Sequence, residues 1–116
     1  MSVPPRESAL LRVYTLRADR VDGGERLAEA IVRSARAAGL AGATALNAKM
    51  GFASGGRFFT DASGEVGFDQ QPVVVELVDA RERLQAFLPA LHALVRGRRL
   101  VTLERAEVLH YAPGGS

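Results

Sequence analysis

Residues 10–16 place Leu11, Val13 and Thr15 on one alternate face and Leu10, Tyr14 and Leu16 on the other, which predicts a strand buried on much of both sides. Asp22 is followed three residues later by Glu25, the spacing of a capping box. Leu27, Ile31 and Ala35 then recur every fourth residue until Gly39, which predicts a first helix with a left-handed stop. Residues 42–52 alternate Thr44, Leu46, Ala48 and Met50 with Ala45, Asn47 and Lys49, the period of a second strand with one better-buried face. The stretch 52–71 holds Gly55, Gly56, Gly64 and Gly67 without a helical period, and predicts a long loop or an extended flexible hairpin.

Residues 73–78 form a β-branched run broken only by Glu76, as expected of a central third strand. Asp79 and Glu82 repeat the capping-box spacing, and Leu84, Phe87, Leu88, Leu91 and Val95 make the apolar stripe of a second helix that Gly97 ends. Pro89 lies inside that stripe and predicts a kink or a helix in two parts near Ala86. Residues 101–111 close the order as a fourth strand, interrupted around Glu104 and Arg105. A βαββαβ order with each helix returning to one sheet predicts an α+β, ferredoxin-like sandwich: four antiparallel strands with two helices on one face. Pro4 and Pro5 near the start, and Pro113, Gly114 and Gly115 near the end, predict flexible tails over 1–6 and 113–116 around one domain spanning 7–112. The other sheet face, carrying Val74, Glu76 and Val78, is expected to be too apolar for a free monomer and to close against identical copies.

Composition narrows the chemistry. With 116 residues and no cysteine, the chain has room for one core and none for thiol catalysis, cysteine-based zinc sites or iron–sulfur ligation. No segment approaches the roughly 18 consecutive apolar residues of a membrane span, nor does the start resemble a signal peptide, so the expectation is a cytoplasmic protein that does not insert into a membrane. The net charge is only +2, and Lys49 is the one lysine among basic residues that are otherwise scattered arginines. A nucleic-acid footprint requires clustering, and an RNA-reading sheet requires aromatic residues on its central strands, where only Tyr14 occurs, so no nucleic-acid partner is expected. His92 and His110 have no acid or nucleophile at a catalytic spacing and no companion metal ligands; both read as structural, and neither an enzyme nor a metal protein is expected. An acylphosphatase-like anion loop would need glycine directly after the first strand, and none occurs before Gly23.

Several separated motifs carry a resemblance. The run Ala38-Gly39-Leu40-Ala41-Gly42-Ala43-Thr44-Ala45-Leu46, then Gly51-Phe52, then Pro72 through Asp79, then Ala86-Phe87-Leu88-Pro89, and finally Leu100 through Glu104, together resemble the PII-like family known as domain of unknown function 190. The resemblance spans about 10–111. It implies a ferredoxin-like protomer, a homotrimer with inward-facing sheets, a regulatory or signalling role, and a mobile loop after the second strand that contacts a client protein. Some relatives are encoded beside fluoride exporters, which makes a membrane transporter a candidate client. The chain departs from PII proteins in having only Arg96, Gly97, Arg98 and Arg99 where they carry a longer phosphate-cradling turn. It departs from many members of the resembled family in having Ala53 after Gly-Phe, and Phe59-Thr60 in place of a His-Thr pair.

These readings converge on a ligand cleft between protomers that takes a small metabolite such as an adenine nucleotide. Thr44, Asn47, Lys49, Gly51, Phe52, Arg57, Arg98 and Arg99 are its expected lining, with the cations placed to meet an anionic group and Thr44 matching the PII pattern Gly-x-Thr. Phe58, Phe59 and Phe68, set among glycines, are expected to contact a client. The alternative is a ligand-independent partner or assembly factor for a membrane transporter such as a fluoride exporter.

Overall fold

A computed structural model describes residues 3–62 and 67–112. The elements run β1 (Glu7–Leu16), α1 (Leu27–Ala37), β2 (Gly42–Asn47), β3 (Met50–Gly51), β4 (Phe59–Thr60), β5 (Pro72–Asp79), α2 (Arg81–Val95) and β6 (Leu100–Glu107). Four strands form one antiparallel sheet in the order β2-β5-β1-β6, with β3 and β4 pairing separately as a small hairpin. This is the ferredoxin-like sandwich: β5 and β1 lie at the centre, and each helix crosses from one strand to another over the same face. Gly64 and residues 113–116 of the expected tail lie outside the described residues, as do Met1 and Ser2.

Register decides what each face carries. Leu11 lies opposite Leu77 and Leu103, and Val13 opposite Val75 and Val101, so one face presents a continuous aliphatic layer. Leu27, Ile31 and Ala35 of α1 and Leu84, Phe87, Leu91 and Val95 of α2 close over it, forming a core with Ala9, Leu11, Val13, Val75 and Leu77. Burying a Leu, Val or Phe side chain contributes about 1.5–3 kcal/mol each, so this layer is the main source of stability.

On the opposite face two adjacent rows differ in character. Leu46, Val74, Tyr14 and Leu100 stand side by side across all four strands. The next row is polar, with Thr44, Glu76, Arg12 and Thr102 side by side: the Arg12 Nε is 3.0 Å from the Glu76 Oε2, and its Nη1 reaches across to the Glu104 carboxylate, which stands beside Leu10 in the following row. Hydrogen bonding to Glu76, opposed by partial desolvation and reinforced by Glu104, raises the Arg12 pKa above its ordinary value. Leu46 and Leu100 are 49% and 59% exposed, so the face carries an apolar band bordered by ion-paired side chains.

Local sequence signals are corrected in four places. Neither helix has a side-chain cap. Gly23 and Gly24, at φ +96° and +94°, allow a closed loop in which Val21 N–H bonds the Glu25 carbonyl at 2.9 Å, and α1 begins only after Arg26. Asp22 then pairs with Arg96, Glu25 with Arg33, and the Leu27 N–H is taken by the Asp19 carbonyl at 2.9 Å. At α2, Asp79 is fully buried and works as a clamp, accepting the Ala41 N–H at 3.0 Å, the Ala80 N–H at 2.6 Å and the Arg83 Nε at 3.0 Å. The second helix is one element from Arg81 to Val95 rather than two parts, with Pro89 inside it on its exposed side. It ends in left-handed Arg96, one residue before Gly97.

The second strand stops at Asn47, and its expected continuation to Phe52 is instead the separate β3. The fourth strand is continuous through Glu104 and Arg105. Beyond it, Val108 N–H bonds the Arg6 carbonyl at 2.8 Å, and the Tyr111 hydroxyl donates to the Ala41 carbonyl at 3.3 Å across the end of the sheet.

Leu77→Ala, at a position with no exposed surface in the central strand, is expected to cost about 2–5 kcal/mol in urea unfolding. A loss under about 1 kcal/mol would mean that the sheet–helix layer is not the main core.

Candidate functional site

Three loops meet at one end of the sheet, because β1 ends there, β2 ends there, and both β5 and β6 begin there. They are the β1–α1 loop, the β2–β5 excursion with its hairpin, and the α2–β6 turn. Asn47, Lys49, Gly51, Phe52, Arg57, Arg98 and Arg99 all fall at this end, while Thr44 lies further up β2 on the open face, opposite Glu76.

The excursion is more ordered than its glycine content suggests. Met50 pairs with Thr60 and Gly51 with Phe59, the Asp61 N–H bonds the Lys49 carbonyl at 2.9 Å, and a 3-10 turn at Phe68–Gln70 leads back to β5. Phe59 is 1% exposed and packs against Phe68 with centroids 5.5 Å apart at 55°. Phe59 is therefore the hairpin's anchor, not one of its outward contacts. Phe52, Phe58 and Phe68 remain on the surface at 72%, 58% and 58% exposure, joined by Met50 at 61%. Gly51 has φ +144°, and a Cβ there would sit 3.6 Å from the Pro72 side chain, so this glycine serves the chain's own turn.

Gln71 binds the excursion to the sheet. It is 7% exposed, its Nε2 donates to the Ala48 carbonyl at 3.1 Å, and its carbonyl accepts the Arg17 N–H at 2.8 Å. Arg57 contributes its main chain, through a 3.1 Å bond from its N–H to the Gln70 Oε1, and its side chain is exposed.

The strongest polar contact at this end joins Asp19 to Arg99. Arg99 Nε and Nη2 reach the two carboxylate oxygens at 2.6 and 2.7 Å, and Nη1 donates to the Ser54 carbonyl. Asp19 also accepts the Leu16 N–H at 2.9 Å. Burial pushes the Asp19 carboxyl up, but the Arg99 and Leu16 hydrogen bonds and the nearby positive charges outweigh it and hold the group below its ordinary value. The same pair, against desolvation, raises Arg99. Arg99 thus ties the β1–α1 loop, the start of β6 and the 52–58 segment together, and its guanidinium is committed to that task rather than to an external anion.

Arg98 is different. It is exposed, makes no direct ion pair among the described residues, and lines a cavity of about 280 Å³ with Arg20, Asp22 and Arg96. Asn47 lines a separate cavity of about 220 Å³ with Arg17, Arg26 and Glu29. Lys49 is exposed beside the hairpin. The sequence reading missed Asp19 and Gln71, each a lone polar residue in no motif; their partners are 80 and 23 residues away, so no local pattern announces them.

No cluster of three or more histidine, cysteine, aspartate or glutamate residues able to hold a metal occurs among the described residues. Nor is any described helix long and apolar enough to cross a membrane.

A family model described as an uncharacterised ACR, DUF190, matches residues 8–108, from the start of β1 through β6. The chain belongs to the DUF190 family. None of the curated proteins matches it. For this DUF190 protein the motifs that carried the resemblance sit in structural positions: Gly39 in the left-handed stop of α1, Pro72 through Asp79 as the central strand, and Leu100 through Glu104 as edge strand β6.

The depressed Asp19 pKa has a consequence for stability. The ionised carboxylate stabilises the fold fully above the unfolded value of about 3.9, and that contribution disappears as pH falls through the lower folded value. The wild type is therefore expected to lose stability between about pH 5 and pH 2, with Asp19→Asn costing about 3 kcal/mol at pH 7 and flattening that acid limb. Equal acid slopes for both proteins in urea titrations would contradict the assignment.

Proposed function

We propose that this DUF190 protein is a PII-like regulatory binding protein. Three copies associate through the open sheet face, a small anionic metabolite such as an adenine nucleotide binds where the loop ends of neighbouring copies meet, and the 52–71 excursion contacts a client protein. What supports the reading is the convergence of three loops at one end of a sheet whose uncovered face carries the band Leu46, Val74, Tyr14 and Leu100. An exposed row of this kind gains about 25 cal/mol for each Å² of apolar surface that a second copy covers.

Within the cleft, Arg98 before β6 is the cation available to an anion, with Lys49 and Asn47 at the end of β2 on the opposite edge of the sheet, and Thr44 facing the seam from β2. Phe52, Phe58 and Phe68 are the client-facing rings. Ligand and client are coupled in this proposal because Ser54, in the excursion, is held by Arg99 immediately after Arg98. The reaction chemistry of an enzyme has no role in it. The exposed Met50, Phe52 and Phe58 also favour a second reading, in which the protein is a ligand-independent partner or assembly factor for a membrane transporter such as a fluoride exporter.

Light scattering is expected to give three times the chain mass, and a monomer at every concentration would remove the cleft. Adenine nucleotides at about a hundredfold over Kd are expected to raise Tm by about 10 °C. Arg98→Ala should reduce that shift. Absence of a shift with ATP, ADP, AMP, cyclic nucleotides and S-adenosylmethionine would overturn the metabolite and leave the assembly-factor reading.

A further inference from the structure

Strand β2 ends the sheet, and no strand pairs with its far side among the described residues. Its hydrogen-bonding phase is set by the 2.9 Å bond from the Ala48 N–H to the Pro72 carbonyl, just beyond the Asn47–Val73 pair. In an antiparallel ladder the main-chain groups alternate sides, so those of Ala43, Ala45 and Asn47 turn outward to the free edge. The edge segment Gly42-Ala43-Thr44-Ala45-Leu46-Asn47 has none of the charges or prolines that usually blunt an unpaired strand.

Beside that edge runs a groove bounded by α1. A cavity of about 430 Å³ with a floor of Ala28, Val32 and Ala45 adjoins the 220 Å³ cavity at Asn47, and the two share Ala28, Glu29 and Ala45. The first is rimmed by Arg33 and Arg36, the second by Arg17 and Arg26. Against these four cations stand Glu29 and Glu25, the latter paired to Arg33 at 2.7 Å. The groove lies on the helix side of β2, away from the open face carrying Leu46.

We infer that the β2 edge and the α1 groove form a strand-addition site for an extended peptide of a partner protein, apolar at its centre and acidic at both ends. The peptide's main chain pairs with the outward groups of Ala43, Ala45 and Asn47, its central side chains lie over Ala28 and Val32, and its terminal carboxylates meet the arginine pairs. A seven-residue strand spans about 23 Å, enough to follow all of β2. The site shares Asn47 with the proposed ligand cleft and otherwise rests on the β2 edge and the α1 groove alone.

The test uses the full chain and a fluorescein-labelled peptide, Glu-Glu-Val-Val-Val-Glu-Glu, followed by anisotropy, with a Lys-Lys-Val-Val-Val-Lys-Lys twin. Binding of the acidic peptide and not the lysine twin is expected, weakening about fivefold in Arg33→Gln/Arg36→Gln. Ala45→Pro removes an outward N–H while sparing the ladder to β5, so it should abolish binding with far-UV circular dichroism unchanged. A peptide methylated at alternate backbone nitrogens should lose binding in one of its two phases. Equal binding of the two peptides, or full binding by Ala45→Pro, overturns the site. So does an unresponsive acidic peptide together with an Ala45→Pro variant of altered mass by light scattering, since the edge is then a seam between copies.

Discussion

The pairing of β1 with β5 is the constraint from which the other features follow. These central strands meet in antiparallel register, Leu11 against Leu77 and Val13 against Val75, and that register sends every second residue into the layer beneath the helices. A slip of one residue would bring Arg12 and Glu76 into the core and expose the aliphatic set. Because the register is fixed, Arg12 and Glu76 meet on the opposite face, and β2 and β6 become edges with different surroundings: β2 beside α1 and its groove, β6 beside the chain ends.

The loop end inherits its geometry from the same pairing. With β1 ending where β5 and β6 begin, Asp19 is delivered to Arg99 across most of the chain length. The pair has side-chain exposures of 10% and 14%, which shields it from the screening that makes most surface ion pairs worth little. Hydrogen bonds from Arg99 to Ser54 and from Gln71 to Ala48 then hold the excursion at both of its roots. Rigid roots with exposed phenylalanines beyond them suit a segment that presents a contact surface without unfolding the sheet.

Strand and helix positions were legible from periodicity, since both helices and all four long strands lie where apolar spacing places them. The boundaries failed where tertiary contacts outweighed local signals. Asp22 and Glu25 have capping-box spacing, yet the Gly23–Gly24 turn folds them away from α1, toward Arg96 and Arg33. Pro89 does not divide the second helix, which runs as one element with the proline on its exposed side. The site was legible in its location and less so in its roles: Arg98 and Arg99 look alike in sequence, but of the two only Arg99 makes an ion pair with an aspartate among the described residues. Phe58 and Phe59 are equally alike, and the β3–β4 pairing turns one outward and the other in.

By itself the sequence determined the fold class, the order of elements and the membership of the core, because these depend on hydrophobic spacing that each segment carries internally. Only the tertiary structure decided which arginine is a strut, which phenylalanine is an anchor, and that among the described residues Arg98 has no ion pair and β2 no partner strand on the side beside its cationic groove. Those properties depend on partners far apart in the chain, and a one-dimensional pattern contains no distance between them.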